Sequence, residues 1–136
     1  AAVADAGAEA VTMINTMLGM VLDRDTMRPA LGAGGGGLSG RAIHPIAVRA
    51  VHDVRLALPQ LPIVGVGGIA TGWDAAELMA VGANAVQVGT AGFAEPDACS
   101  RIAAELVEFA ATRGMSRLAD LSGVVWRHGN TSSVDS

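Results

Sequence analysis

Apolar residues in this chain fall in short blocks, each closed by glycine, proline or a small polar residue. The block at residues 8–16, AEAVTMINT, is rich in β-branched residues and ends in Asn15 and Thr16. It reads as a buried strand. Residues 62–66, PIVGV, and 84–88, NAVQV, read the same way. Helical spacing appears between and after them. In residues 44–58, Pro45 suits a first helical turn. Val48, Val51, Val54 or Arg55, and Leu58 then recur on one face, while Arg49, Asp53 and Arg55 can face water. Thr71 and Asp74 form a capping box with Asp in place of Glu, opening a helix over about residues 72–81. Pro96 opens a third long helix to about Arg113, with Cys99, Ile102, Leu106 and Phe109 as its apolar stripe. Residues 116–123 suggest a short last helix stopped by Gly123. The polar segment 128–136 reads as a disordered tail.

The order is strand, long loop, helix, strand, helix, strand, helix. Returning the chain through a helix makes successive strands parallel. Their nearly continuous apolar runs suit a sheet covered by helices. The long loop carries seven glycines from Gly19 to Gly40 and no sustained period, with a small hairpin expected around Arg24 to Met27.

Composition narrows the chemistry. The 136 residues are 51% hydrophobic, enough for a packed core. No apolar run approaches the roughly 18–20 residues of a membrane span. The first ten residues carry two acids and no base, unlike a signal peptide. A net charge of −4 with scattered arginines argues against a nucleic-acid footprint. All nine basic residues are arginine, so lysine Schiff-base chemistry is excluded within this chain. The single cysteine, Cys99, excludes an internal disulfide and fits a reducing compartment. No histidine pair stands at ligand spacing with a carboxylate, so no metal site is expected.

Gly65, Gly67 and Ala70 match G-x-G-x-x-[GA], the dinucleotide fingerprint. That reading also requires an acid at the end of the next strand. Gly89 and Thr90 stand there instead. A (β/α)8 barrel accommodates the glycines better. It binds phosphate between the loops after neighbouring strands. Gly67-Gly68 and Gly89-Thr90 form such a pair, because glycine lets backbone N–H groups approach an anion. Both glycine pairs also suit ordinary βα turns, and Asn15 also suits a strand-end cap bonded to nearby backbone.

The motifs INT, GGLSGRAIHPIA, PIVGVGGI, GANAVQVGTA and LSGVVW, in this order, resemble the C-terminal half of class 1 dihydroorotate dehydrogenase. The resemblance runs from about Ala8 to Trp126. GGLSG and QVGT are most similar to the NAD-linked subclass. The related dihydropyrimidine dehydrogenases share parts of the pattern. The resemblance implies an α/β fold, the C-terminal portion of a TIM barrel with about three βα units over residues 1–127. It implies FMN as cofactor and dihydroorotate oxidation to orotate in pyrimidine synthesis. Ile14 and Gly40 would contact FMN, and Gly67, Gly68, Gly89 and Thr90 would cradle its phosphate. Asn15 and Thr16 would bind the substrate pyrimidine. An iron–sulfur flavoprotein subunit would accept electrons. A homodimer core and a cytoplasmic location follow from the same resemblance.

The resemblance also places the catalytic cysteine and the flavin-contacting lysine in an N-terminal half, so no catalytic residue is assigned here. Cys99 is expected to be a buried structural cysteine. His44 stands where the subclass would have lysine, and is expected as a surface residue at a helix start. A half barrel would expose strand edges, so the chain alone is expected to be marginal, to aggregate or to dimerise. Two other readings remain open: a phosphate-binding barrel isomerase or lyase, and an inactive truncated half barrel.

Overall fold

The computed structural model describes residues 2–128. The expected disordered tail falls mainly on residues 129–136, outside that range. A short helix α1 (Ala2–Asp5) leads into strand β1 (Val11–Met13). An antiparallel hairpin follows, β2 (Met17–Gly19) and β3 (Gly36–Leu38). A 3-10 turn (Arg41–Ile43) then runs directly into α2 (His44–Ala57). Next come β4 (Ile63–Val66), α3 (Gly72–Ala80) and β5 (Ala85–Gln87). The chain ends with α4 (Ala91–Ala94), α5 (Ala98–Thr112), a 3-10 turn (Leu118–Leu121) and α6 (Val124–His128).

The strands β1, β4 and β5 form one parallel sheet in that order. Met13 pairs with Gly65, and Val66 with Gln87. The register therefore brings the residues following each strand to one rim of the sheet. The strands are shorter than the apolar blocks, but pairing continues past the named ends. The Ile14 N–H donates to the Val66 carbonyl at 2.7 Å and the Val11 N–H to the Pro62 carbonyl at 3.0 Å. The outer edges of β1 and β5 have no strand partner among the described residues.

The helices cover one side of this sheet. Ile63, Leu78, Val51 and Leu121 are the largest fully buried side chains. Gly65 lets α3 sit close to the sheet: a Cβ there would lie 3.1 Å from the Ala83 Cβ and 3.3 Å from the Leu78 Cβ. The capping box at the start of α3 forms in both directions. Asp74 N–H donates to the Thr71 hydroxyl, and Thr71 N–H to the Asp74 carboxylate.

The glycine-rich loop holds more pairing than its pattern suggested. Asp23 closes the expected turn by accepting from both the backbone and the hydroxyl of Thr26. A bridge joins Leu22 to Pro29, and β2–β3 pairing extends the hairpin well beyond residues 24–27.

Cys99 corrects the reading of α5. It is exposed, and the buried stripe is Ala98, Ile102, Leu106 and Ala110, with Phe109 half-buried. The helix starts at Ala98, two residues past Pro96. Cys99 then stands about 100° around the axis from the buried position. Small residues set the phase because α3 and α5 approach closely. A Cβ on Gly72 would lie 2.4 Å from the Glu105 Cβ.

Leu78 has no exposed surface. Leu78→Ala should lower unfolding free energy by about 2–5 kcal/mol, measured as the denaturant midpoint shift at constant slope.

Candidate functional site

Three loops meet at the C-terminal rim of the sheet. Ile14 to Thr16 follow β1, Gly67 to Thr71 follow β4, and Gly89 and Thr90 follow β5. The segment Ser39-Gly40, just before α2, closes the fourth side. Ile14, Thr16, Gly40, Gly67, Gly68, Gly89 and Thr90 all line one cleft of about 160 Å³. Asn15 stands on the same strand end but is not among its lining residues. Its Oδ1 accepts from the Thr16 N–H at 2.8 Å, the local cap that its position allowed. Ser39 lines the cleft too. It accepts from the Thr90 hydroxyl at 2.9 Å and so ties the β5 rim to the start of α2. The GGLSG motif contains Ser39, yet only a cross-rim contact distant in sequence reveals this role.

Backbone donors without partners ring the cleft. Gly68 and Ile69 donate their N–H groups to no acceptor among the described residues, and neither do Gly89 and Thr90. A Cβ on Gly89 would meet nothing within 4 Å, and one on Gly40 only the Thr90 methyl at 3.6 Å. Unused backbone donors around open space suit phosphate oxygens without a basic side chain. A volume of about 160 Å³ is below the usual range for a whole drug-sized ligand.

Gly67 and Gly68 serve the fold as well. Their φ angles are +142° and +68°, a region that disfavours side chains. A Cβ on Gly68 would lie 2.7 Å from the Gly40 carbonyl oxygen and 2.8 Å from the His44 Cβ. The turn is therefore packed directly on the start of α2.

His44 fills the space beneath that turn. It is only 7% exposed, in contrast to the surface position expected for it. The 3-10 turn before α2 tucks the helix start under Gly68, where no side chain competes for room. His44 Nδ1 lies 2.8 Å from the Gly67 carbonyl oxygen, and Nε2 lies 3.1 Å from Glu77 Oε2 and 3.8 Å from Asp74 Oδ1. A carbonyl only accepts, so Nδ1 carries a proton and donates it.

The other side of the β4 loop is held by carboxylates. Asp74 Oδ2 accepts from the N–H groups of Ala70 and Thr71 at 2.9 and 2.8 Å. Burial pushes the Asp74 carboxyl up, but these donors and the nearby His44 outweigh it and hold its pKa below the ordinary value. Glu105 accepts from the Gly72 N–H at 2.6 Å, and Arg101 pairs with Glu105 and Glu95. The Gly72 bond and then the Arg101 guanidinium hold Glu105 below the usual carboxylate range.

A larger cleft, about 460 Å³, opens at the opposite rim between Arg55, Asn84 and Trp126. Its arginine is committed to internal partners: Arg55 donates to the carbonyls of Gly82 and Pro59 and to Asn84 Oδ1. His52 stacks on Trp126 with ring centroids 4.5 Å apart. No group of three or more His, Cys, Asp or Glu able to hold a metal occurs among the described residues. No described helix is long and apolar enough to cross a membrane.

The family model described as dihydroorotate dehydrogenase matches residues 1–110. The "Dihydroorotate dehydrogenase B (NAD(+)), catalytic subunit" of Geobacter sulfurreducens is 48% identical over 124 residues, covering 91% of this chain and 40% of that protein. The "Putative dihydroorotate dehydrogenase A (fumarate)" of Solibacter usitatus is 48% identical over 121 residues, covering 89% and 40%. The crystal structure of ligand-free DHODH from Eimeria tenella superposes with TM-score 0.76 and 28% identity, over 92% of this chain and 34% of that one. The chain thus spans about 40% of the length of these two curated relatives. Its parallel α/β layer is part of the TIM barrel seen in those neighbours.

Both Asp74 and Glu105 titrate below their ordinary values of 3.8 and 4.5 in the folded chain. Their stabilisation is complete above those values and is lost as pH falls through the lower folded ones. The melting temperature should hold from pH 7 to about 5 and drop between about pH 4 and 2. Asp74→Asn should melt lower at pH 7, and its deficit should shrink over the same acid range.

Proposed function

Because this chain belongs to the dihydroorotate dehydrogenase family, we propose that it supplies the FMN-phosphate site and part of the substrate site for oxidation of dihydroorotate to orotate. The observation that carries this reading is the convergence of Gly40, Gly67, Gly68, Gly89 and Thr90 on one cleft ringed by unused N–H donors. In this reading the amides of Gly68, Ile69, Gly89 and Thr90 hold the phosphate, and Gly40 lets the cofactor pass close to the backbone. Ile14 provides an apolar contact at the edge of the same cleft.

Asn15 and Thr16 are proposed to meet the pyrimidine. Both are exposed at the β1 end. With Asn15 Oδ1 engaged by Thr16 N–H, the Asn15 NH₂ remains to donate, and the Thr16 hydroxyl can donate or accept. That mixture suits the alternating edge of a pyrimidine ring. When bound, the flavin supplies the two-electron acceptor for the reaction. The chain's own contribution is to bind and orient. Its one cysteine, Cys99, lies on the exposed side of α5 and is not assigned a catalytic role. The reaction serves de novo pyrimidine biosynthesis. We place the protein in the cytoplasm as part of a homodimer core, with an iron–sulfur flavoprotein subunit as electron-transfer partner.

Flavin binding tests this reading. FMN added to the purified chain should lose fluorescence with saturation, and riboflavin should bind at least about tenfold more weakly for want of charge-assisted hydrogen bonds to the amides. Gly89→Val, which places a branched side chain in the open space, should weaken FMN alone. Preference for simple sugar phosphates over FMN would favour a barrel isomerase or lyase. Binding of neither would favour an inactive half barrel.

A further inference from the structure

The peptide between Gly67 and Gly68 is the one part of the cleft whose orientation local sterics leave open. Glycine on both sides removes the Cβ barriers that normally prevent a peptide plane from rotating. The bond itself is trans, as Met13–Ile14 is the cis peptide bond among the described residues. In a trans peptide the carbonyl oxygen and the following N–H point in opposite directions. The Gly67 carbonyl points down to His44 Nδ1, at 2.8 Å. The Gly68 N–H therefore points away from His44, which does not line the cleft that Gly67 and Gly68 line. A rotated peptide would present a carbonyl oxygen to the anion instead.

We infer that His44 is a positioning residue that locks the Gly67–Gly68 peptide with its N–H toward the phosphate. This inference rests on the flavin-phosphate reading of the cleft. The lock is itself held. His44 Nε2 abuts Glu77 Oε2 at 3.1 Å, and Asp74 lies within 3.8 Å while its other oxygen grips Ala70 and Thr71. The ring cannot swing away without losing both the carbonyl and the carboxylate. His44 does not line the cleft, so it acts through the backbone rather than by touching the ligand.

Two substitutions separate the ring's two ends. In His44→Asn the side-chain amide nitrogen stands the same number of bonds from Cα as the histidine Nδ1, and so keeps a donor for the Gly67 carbonyl. In His44→Gln the amide nitrogen reaches toward the place of the histidine Nε2, and keeps only the Glu77 side. The readout is the ratio of FMN to riboflavin affinity, with melting temperature measured beside it. His44→Gln should lower that ratio about tenfold, the effect of losing one hydrogen bond to a charged group. His44→Asn should stay within about threefold of the unsubstituted chain, as its donor is retained. Equal ratios in both variants, or a parallel loss of FMN and riboflavin affinity, would overturn the lock. The unsubstituted chain gives a second readout that needs no variant to fold. Nitrogen-15 spectra should show a proton on His44 Nδ1, protected from exchange, and a ring protonated on Nε2 alone would overturn the inference. If the unsubstituted chain shows no preference for FMN over riboflavin, the phosphate reading fails first, whatever His44 does.

Discussion

The close packing of a glycine turn on the start of a helix organises this protein. Gly68 has no side chain, so the backbone of Gly40 and the Cβ of His44 occupy the space beside it. That single approach fixes where α2 begins. It also fixes how the β4 loop meets the β5 loop across the rim, and leaves backbone donors free around a small cleft. Any larger residue at this point would separate the helix from the sheet and spread the loops apart.

The same loop is gripped from two directions. His44 holds the Gly67 carbonyl below, and Asp74 holds the Ala70 and Thr71 amides at the far end. Behind them Glu105 accepts from Gly72, and Arg101 donates to the Ala70 carbonyl at 3.2 Å. Asp74, Glu105 and Arg101 thus surround the loop without lining the cleft, where the unused amides stand. This division would let a chain of net charge −4 bind an anion under the proposed reading. The charges serve to keep the backbone rigid, and oriented N–H dipoles supply the local positive potential.

Much of this was legible in the sequence because it rests on local patterns. Apolar blocks located the three parallel strands, and Thr71 with Asp74 marked the start of α3. The paired glycines gave the rim at which all the expected site residues but Asn15 share one cleft. The failures share a cause in tertiary packing. Cys99 counted as apolar, but the phase of α5 is set by Ala98 and Ala110, whose small size brings α5 against α3. His44 looked like a surface helix start because nothing in its neighbourhood shows that Gly67 and Glu77, distant in sequence, converge on its ring. Ser39 was hidden the same way, since its partner Thr90 lies 51 residues on. The glycine-rich loop gave no period because β3 is built largely of glycine, where pairing leaves no side-chain alternation.

The central claim is that amides from two neighbouring strand ends hold one phosphate. Amide chemical shifts recorded on titration with FMN, and separately with riboflavin, test it most directly. The account predicts that Gly68, Ile69, Gly89 and Thr90 shift together with FMN and much less with riboflavin. Shifts centred on the opposite rim, around Arg55, Asn84 and Trp126, or the same response to both flavins, would contradict it.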